Sequence, residues 1–136
     1  MFKKLFLPVV TAICLILMFL VNNFPVFYNY SKNLEVYGKD KSSGEIINTL
    51  NFSAIFISKY GEAFSLTKSN FTLNNFLNDF NAELIFTEEV ENGTCYYAYS
   101  PKIQYLEKIY GQNINIHIFI GKNNVKIGSP LIYGGY

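Results

Sequence analysis

Residues 84–99 read LIFTEEVENGTCYYAY, two strand-like runs on either side of an Asn92-Gly93 pair. An Asn-Gly pair between such runs is a strong hairpin signal, because a type I′ turn needs positive φ at both central residues. The sequence therefore predicts a β-hairpin with a two-residue loop at Asn92-Gly93, in which Glu91 pairs with Thr94.

That register also predicts which side chains share a face of the hairpin. Val90 is expected opposite Cys95, with Glu88 opposite Tyr97. The face predicted to lie toward the core carries Leu84, Phe86, Val90, Cys95, Tyr97 and Tyr99. On this face Cys95 is interpreted as a small buried apolar residue and not as a nucleophile.

Downstream of the hairpin, Ser100-Pro101 is expected to end the strand. Residues 103–110 and 114–120 then predict a further strand pair with a turn near Gly111-Gln112, and the isoleucines of the second strand are expected to face inward. The only histidine, His117, alternates with those isoleucines and is expected to be exposed. A turn at 121–124 precedes a strand at 125–127, and the apolar segment 131–136 is expected to dock on the domain.

Upstream of the hairpin, Leu73, Phe76, Leu77 and Phe80 have the i, i+3, i+4, i+7 spacing of an amphipathic helix, with Thr72 or Ser69 as its cap. Residues 45–67 carry a mixed signal that favours strands, with 55–57 and 64–67 as hairpin arms around a turn at 60–62. Residues 34–38 predict a short strand, and 39–44 a loop. The fold class predicted is α+β, an antiparallel sheet of successive hairpins with one amphipathic helix.

The N-terminal segment predicts a membrane helix. Lys3 and Lys4 precede an uninterrupted apolar run from Leu5 to Val21, which is about 26 Å long as a helix and somewhat short of a ~30 Å hydrocarbon core. The aromatic residues among 24–30 are expected to extend the run as an interfacial belt. Small residues typical of a signal-peptidase site do not follow the run, which favours an uncleaved signal anchor. We therefore divide the chain into an anchor and linker, 1–30, and an extracytoplasmic domain, 31–136; a cleaved leader and a secreted domain are the alternative.

Composition excludes some functions. Half of the 136 residues are apolar, so a folded core is expected and disorder is not. All eleven basic residues are lysines. Without the two leader lysines, nine lysines face ten carboxylates, and a domain with net charge −1 lacks the basic surface of a nucleic-acid-binding protein.

The sequence offers no catalytic, cofactor-binding or metal-ligating set, and we expect no cofactor. His117 alone cannot form a zinc site, which normally takes at least three protein ligands. Glu88, Glu89 and Glu91 form the densest acidic cluster, but neighbouring strand residues point to opposite faces, so we interpret the cluster as a solvated hairpin end. Cys14 and Cys95 are expected on different sides of the membrane boundary and cannot form a disulfide.

Three segments carry a resemblance to a known family. Residues 79–88 (DFNAELIFTE), 96–102 (YYAYSPK) and 127–134 (IGSPLIYG) resemble small exported proteins of unknown function from clostridial Firmicutes. The chain is more distantly similar to the YwmB family, whose label invokes a fold like that of the TATA-box-binding protein. The resemblance implies export and a shared fold, and it supplies no catalytic residues.

Three functions fit these observations. The first is a membrane-tethered, non-enzymatic binding or structural module of the cell envelope, with a protein or wall component as partner. The second is a small-ligand-binding protein or enzyme that uses Glu88, Glu91 or His117 beside an aromatic pocket formed by 96–99. The third is an accessory subunit of a membrane complex, in which the apolar helix is the interaction surface.

Overall fold

A computed structural model describes residues 2–38, 44–48 and 59–136. Two α-helices and nine strands follow one another along these residues. They are α1 (Phe2–Asn23), β1 (Asn33–Tyr37), β2 (Gly44–Asn48), β3 (Gly61–Thr67), α2 (Leu73–Asp79), β4 (Glu83–Val90), β5 (Gly93–Tyr99), β6 (Glu107–Ile109), β7 (Gln112–Ile114), β8 (Ile116–Gly121) and β9 (Asn124–Ser129). A short 3₁₀ helix, Lys68–Asn70, lies between β3 and α2.

Seven strands form one antiparallel sheet in the order β2-β1-β3-β9-β8-β5-β4, and β6 pairs with β7 in a separate two-stranded ribbon. The pairs β1-β2, β4-β5 and β8-β9 are hairpins, and the β3-β9 and β5-β8 pairs join them. The predicted α+β class, an antiparallel sheet that contains hairpins, and the N-terminal apolar helix are thus confirmed.

Apolar residues cover both faces of the sheet. On the first face, Phe76 and Leu77 of α2 pack with Phe27 against residues of the central strands such as Ile118 and Ile127. This confirms the amphipathic helix. Thr72 occupies its N-cap position, but the Thr72 side chain makes no capping hydrogen bond.

The second face carries a separate core. Cys95 and Phe119 pack there with Ile114 and with Ile132 from the C-terminal segment. The predicted docking of residues 131–136 is confirmed, and so is the burial of Cys95. His117 lies on this face and is only 3% exposed, so its predicted exposure is wrong: the C-terminal segment covers the face that we expected to be solvated.

The central hairpin forms with a different register from the one predicted. Val90 pairs with Gly93, so the two-residue loop is Glu91-Asn92, and neither loop residue has positive φ. Gly93 is needed for another reason: a Cβ there would press against the carbonyl oxygen of Ile120 on β8 and lie 2.9 Å from the Phe119 ring.

The observed register differs from the predicted one by two residues. Because strand side chains alternate with a period of two, the residues near the turn still point to the predicted faces. Phe86 and Val90 do pack in the second core beside Tyr97. A bulge between Leu84 and Phe86 then changes the alternation, and Leu84 and Tyr99 are exposed instead of core residues.

A turn with positive φ at both central residues does occur, at Tyr110-Gly111 between β6 and β7. The strand expected over 103–110 is only three residues long, and the strand expected over 114–120 divides at Asn115. The buried Asn115 amide explains the break. Its Oδ1 accepts from the Ser100 backbone at 2.7 Å, and its Nδ2 donates to the carbonyls of Ser100 and Ile103 at 2.7 and 3.2 Å.

The strands β2 and β3 begin earlier in the sequence than predicted. The strand at 34–38 is confirmed as β1, but Gly44 already belongs to β2 and Gly61 and Glu62 to β3 instead of to loops. β3 lies between β1 and β9. The predicted hairpin arm 55–57 lies outside the described residues, as do the predicted loop residues 39–43.

Candidate functional site

Glu62 is a carboxylate at a core position of β3. Glu62, Phe64 and Leu66 alternate along the strand and so point to one face. That face is the first core, and Glu62 is 0% exposed. A fully buried carboxylate is rare unless it is paired, so its surroundings decide what it does.

The Glu62 carboxylate binds the chain immediately after the apolar helix. Its Oε1 accepts the backbone N–H of Phe27 at 2.7 Å, while its Oε2 has no hydrogen-bond partner among the described residues. Desolvation raises the pKa of Glu62 to about 7, against the opposing effects of the Phe27 amide, the Lys59 charge and the Val26 amide. The carboxyl group therefore changes charge near neutral pH.

Lys59 connects Glu62 to the end of α1. Its Nζ donates to the Asn23 carbonyl at 3.0 Å, which satisfies one of the carbonyls left open at a helix C-terminus. Burial lowers the pKa of Lys59, and the Glu62 charge opposes that shift. A second contact joins the helix to the domain, because Gln104 Nε2 donates to Asn22 Oδ1 at 2.8 Å.

Aromatic packing fixes the same junction. The Phe27 ring is 0% exposed, and its centroid lies 5.0 Å from that of Phe64 and 5.7 Å from that of Phe80. Tyr30 packs on Phe76 at 5.2 Å and donates its hydroxyl to Asp79 at 2.6 Å. The interfacial-belt interpretation of residues 24–30 is therefore wrong for Phe27 and Tyr30, which pack on the domain, whereas Phe24 and Tyr28 are exposed.

A cleft of about 480 Å³ opens beside this junction. The last turn of α1 and the turn after it form one wall, with Val21, Asn22 and Phe24. The domain forms the other wall, which includes Lys59 and Lys102. The α1 wall thus carries apolar side chains beside the amides of Asn22 and Asn23, and the domain wall carries two ammonium groups beside aromatic rings.

The second face of the sheet holds the residues named in the ligand-binding hypothesis. Tyr97 stacks on Phe86 and on His117, with ring centroids 4.4 Å apart in each pair, so three neighbouring strands carry a continuous stack. The Tyr97 hydroxyl donates to Glu88 Oε2 at 3.2 Å. Glu88, Tyr97 and His117 therefore do meet.

The remaining residues of that hypothesis lie elsewhere. Glu89 accepts from Thr94 at 3.0 and 3.1 Å, consistent with the predicted separation of Glu88 and Glu89. Glu91 lines a shallow cleft with Phe119 and Tyr136, and Tyr96 packs in the first core. Within the described ranges, no group of three or more potential metal ligands comes together.

His117 is enclosed. Its Nδ1 accepts the backbone N–H of Ile132 at 3.2 Å, which leaves the ring proton on Nε2, and Nε2 has no partner among the residues described. Burial lowers the pKa of His117 to about 4. Burial likewise raises the pKa of Cys95. A neutral imidazole and a protonated thiol behind the C-terminal segment are suited to packing.

Sequence reasoning missed Glu62 because the Tyr60-Gly61-Glu62 run was interpreted as a turn. The available signal was the alternation of Glu62 with Phe64 and Leu66, which places a carboxylate on an otherwise apolar strand face. Lys59 carried no comparable signal, since its contact with Asn23 spans 36 residues.

No protein-family model, no curated protein and no solved structure matches this chain.

Proposed function

We propose that this protein is a membrane-tethered module whose domain lies outside the cytoplasmic membrane and serves as a non-enzymatic binding or structural component of the cell envelope. The observation that carries the proposal is the exposed apolar surface of α1. It is long and apolar enough to span a membrane, and no residue of Phe6–Asn23 is buried against the rest of the protein. Such a surface needs a lipid or protein environment.

The junction supports a permanent tether over a removable leader. Phe27 is four residues beyond the end of α1 and already belongs to the core. A cut close after the helix would remove Asn22 and Asn23, which Gln104 and Lys59 bind. The positive charge of Lys3 and Lys4 before the apolar run favours a cytoplasmic N-terminus and an exported domain.

The geometry of the second face supports a binding or structural role over catalysis by His117. Its Nδ1 is occupied by the Ile132 amide and the ring is 3% exposed, so a substrate has no access to it in this arrangement. An envelope protein or wall component is the partner class that fits an exported, tethered domain.

Fractionation with protease protection tests the tether. The full-length chain is expressed in a bacterium, and its intact mass, membrane association and digestion in spheroplasts are measured. We expect a full-length, membrane-bound species that protease degrades from outside only. A shortened soluble species would show that the leader is cleaved and the domain secreted, which would contradict the tether. A cytoplasmic species that is protected from protease would contradict export.

An accessory subunit of a membrane complex is the second candidate, favoured by the same unburied surface of α1. Replacing residues 5–21 by an unrelated signal anchor distinguishes the two. Function, measured as complementation of a deletion strain, is retained if the domain acts alone and lost if α1 is itself the contact surface.

A further inference from the structure

The cleft at the end of α1 lies where the proposed membrane helix would leave the hydrocarbon core. Its first wall continues the apolar surface of the helix through Val21 and Phe24, which are 73% and 46% exposed. This position rests on the proposed function, because only a spanning α1 places the cleft at the level of lipid headgroups.

The opposite wall supplies cationic donors. Lys102 Nζ donates to the Asp79 carbonyl at 2.9 Å, and Lys59 Nζ to the Asn23 carbonyl at 3.0 Å. An ammonium group has three donors, and within residues 2–38, 44–48 and 59–136 each lysine has one such acceptor, so N–H groups remain for a further acceptor. A phosphate oxygen is a strong acceptor for such groups.

Two carboxylates lie near these lysines and do not neutralise both of them. The Glu62 charge acts on Lys59 from inside the core. Asp79 offers Lys102 its backbone carbonyl, while its Oδ2 accepts from the Tyr30 hydroxyl. The exposed Lys102 is therefore the principal positive charge at the mouth of the cleft.

We infer that this cleft binds the phosphate of a phospholipid headgroup, with Lys102 and Lys59 holding the phosphate and the Val21 and Phe24 side adjoining the glycerol and acyl chains. A cleft of about 480 Å³ whose lining combines ammonium groups with exposed apolar side chains suits a ligand that is anionic at one end and apolar at the other. Free phosphate shares only the polar half of that chemistry.

Titration in detergent tests the inference. Full-length protein in a mild non-ionic detergent is titrated with short-chain phosphatidylglycerol, and bound lipid is counted by native mass spectrometry. Lys102→Gln should weaken binding about tenfold, the usual effect of losing one charged hydrogen bond. Lys108→Gln is the matched control, because Lys108 is an exposed lysine of β6 that does not line the cleft.

Each outcome has a defined meaning. Stronger loss in Lys102→Glu than in Lys102→Gln, with Lys108→Gln unchanged, would support the site. Equal lipid binding by all variants would overturn it, and displacement of lipid by millimolar inorganic phosphate would reassign the cleft to free phosphate. Membrane fractionation of the same variants reports the tether separately, since loss of the headgroup site leaves α1 and membrane association intact.

Discussion

At the Glu62 side chain, the folded state binds a proton more tightly than the unfolded chain does, since the pKa rises from 4.5 to about 7. The stabilisation linked to that proton is complete below pH 4.5 and is lost as the pH rises through 7. Above neutrality the protein must hold a buried charge whose Oε2 has no partner among the described residues.

Glu62→Gln should therefore stabilise the protein above neutral pH. The amide oxygen keeps an acceptor for the Phe27 N–H and removes the buried charge, a gain of up to about 3 kcal/mol at pH 8 that vanishes near pH 4.5. Thermal unfolding of the full-length protein in detergent, followed by circular dichroism from pH 4.5 to 8, measures it. Glu83→Gln on the exposed edge of β4 is the control, and equal pH profiles for both variants would contradict the assignment.

His117 has the opposite linkage. Its folded pKa of about 4 lies below its ordinary 6.5, so its neutral form contributes stability above pH 6.5 that is lost as the pH falls toward 4. In His117→Phe the stack on Tyr97 remains, but the Ile132 N–H loses its acceptor, at a cost of about 1–3 kcal/mol at pH 7. Urea unfolding should show this deficit shrinking toward pH 4, because the natural protein loses the contribution of the neutral imidazole. His117 is the only histidine, so no other imidazole contributes to the difference. A constant deficit would mean that the imidazole is not buried neutral.

Three buried residues show how far burial can be predicted from the sequence. Burial of Cys95 was predictable because the thiol sits within an alternating strand pattern. His117 has the same alternation, but its burial depends on residues 131–136 covering the second face, and no local pattern encodes that distant contact. The burial of Glu62 could have been predicted from its alternation with Phe64 and Leu66, but residues 60–62 were interpreted as a turn.

At the scale of elements, two glycines act by different physical mechanisms. Gly93 allows β5 to approach β8, since a Cβ would collide with the Ile120 carbonyl. Gly111 has φ of +78° in the β6-β7 turn with nothing within 4 Å of its Cβ direction. The first is restricted by space and the second by backbone conformation.

Alanine substitution should separate these mechanisms. Gly93→Ala is expected to cost at least about 1–3 kcal/mol through overpacking, and Gly111→Ala about 1–2 kcal/mol through left-handed strain. Asparagine should be tolerated better than alanine at 111 only, because asparagine adopts positive φ more readily. Gly38→Ala is the control, with open space and ordinary φ. Chemical unfolding measures all five variants, and a benefit of asparagine over alanine at 93 would restore the type I′ interpretation of that turn.

Phe27 tests how firmly the apolar helix is joined to the domain. Phe27→Ala should destabilise the protein by about 3–5 kcal/mol, the usual cost of deleting a buried aromatic ring. Phe24→Ala is the matched control, three residues earlier and 46% exposed. Thermal unfolding and limited proteolysis after residue 23 would report the change, and similar behaviour of both variants would show that the junction does not depend on the core.

Element existence was more predictable than element pairing. The hairpin, α2 and β1 follow from periodicity, which is local. The hairpin register depends instead on how closely β5 can approach β8, and the division of 114–120 depends on the Asn115 amide bonding to residues 100 and 103. The cleft combines α1 with chain segments 35 to 80 residues away, so its geometry had no local signal.

In the whole molecule, different chain segments cover the two faces of the sheet. Phe27 and α2 pack on the first face, and residues 131–132 pack on the second. Glu62 is buried under the first cover, and His117 is buried under the second. The sheet therefore separates two buried groups whose linkages to pH have opposite signs.

The opposite pH linkages of Glu62 and His117 should nearly cancel in acid. Between pH 6.5 and 4.5, the Glu62 contribution rises by about 2–3 kcal/mol and the His117 contribution falls by a similar amount, so the two nearly cancel in the natural protein. Relative to the Glu62→Gln/His117→Phe double variant, which keeps every other titratable group, the natural protein should show little net change in stability over this range. Glu62→Gln should lose stability with acid, and His117→Phe should gain it.

Urea unfolding of the four proteins at pH 4.5, 5.5 and 6.5 tests this compensation. The two single changes should add to within about 0.5 kcal/mol, because the groups lie on opposite faces and share no hydrogen-bond partner. Strong non-additivity would show instead that the faces are coupled through the strands between them. In that event protonation of Glu62 at the junction with α1 would alter the packing of residues 131–136, and the sheet would transmit the change of charge from one cover to the other.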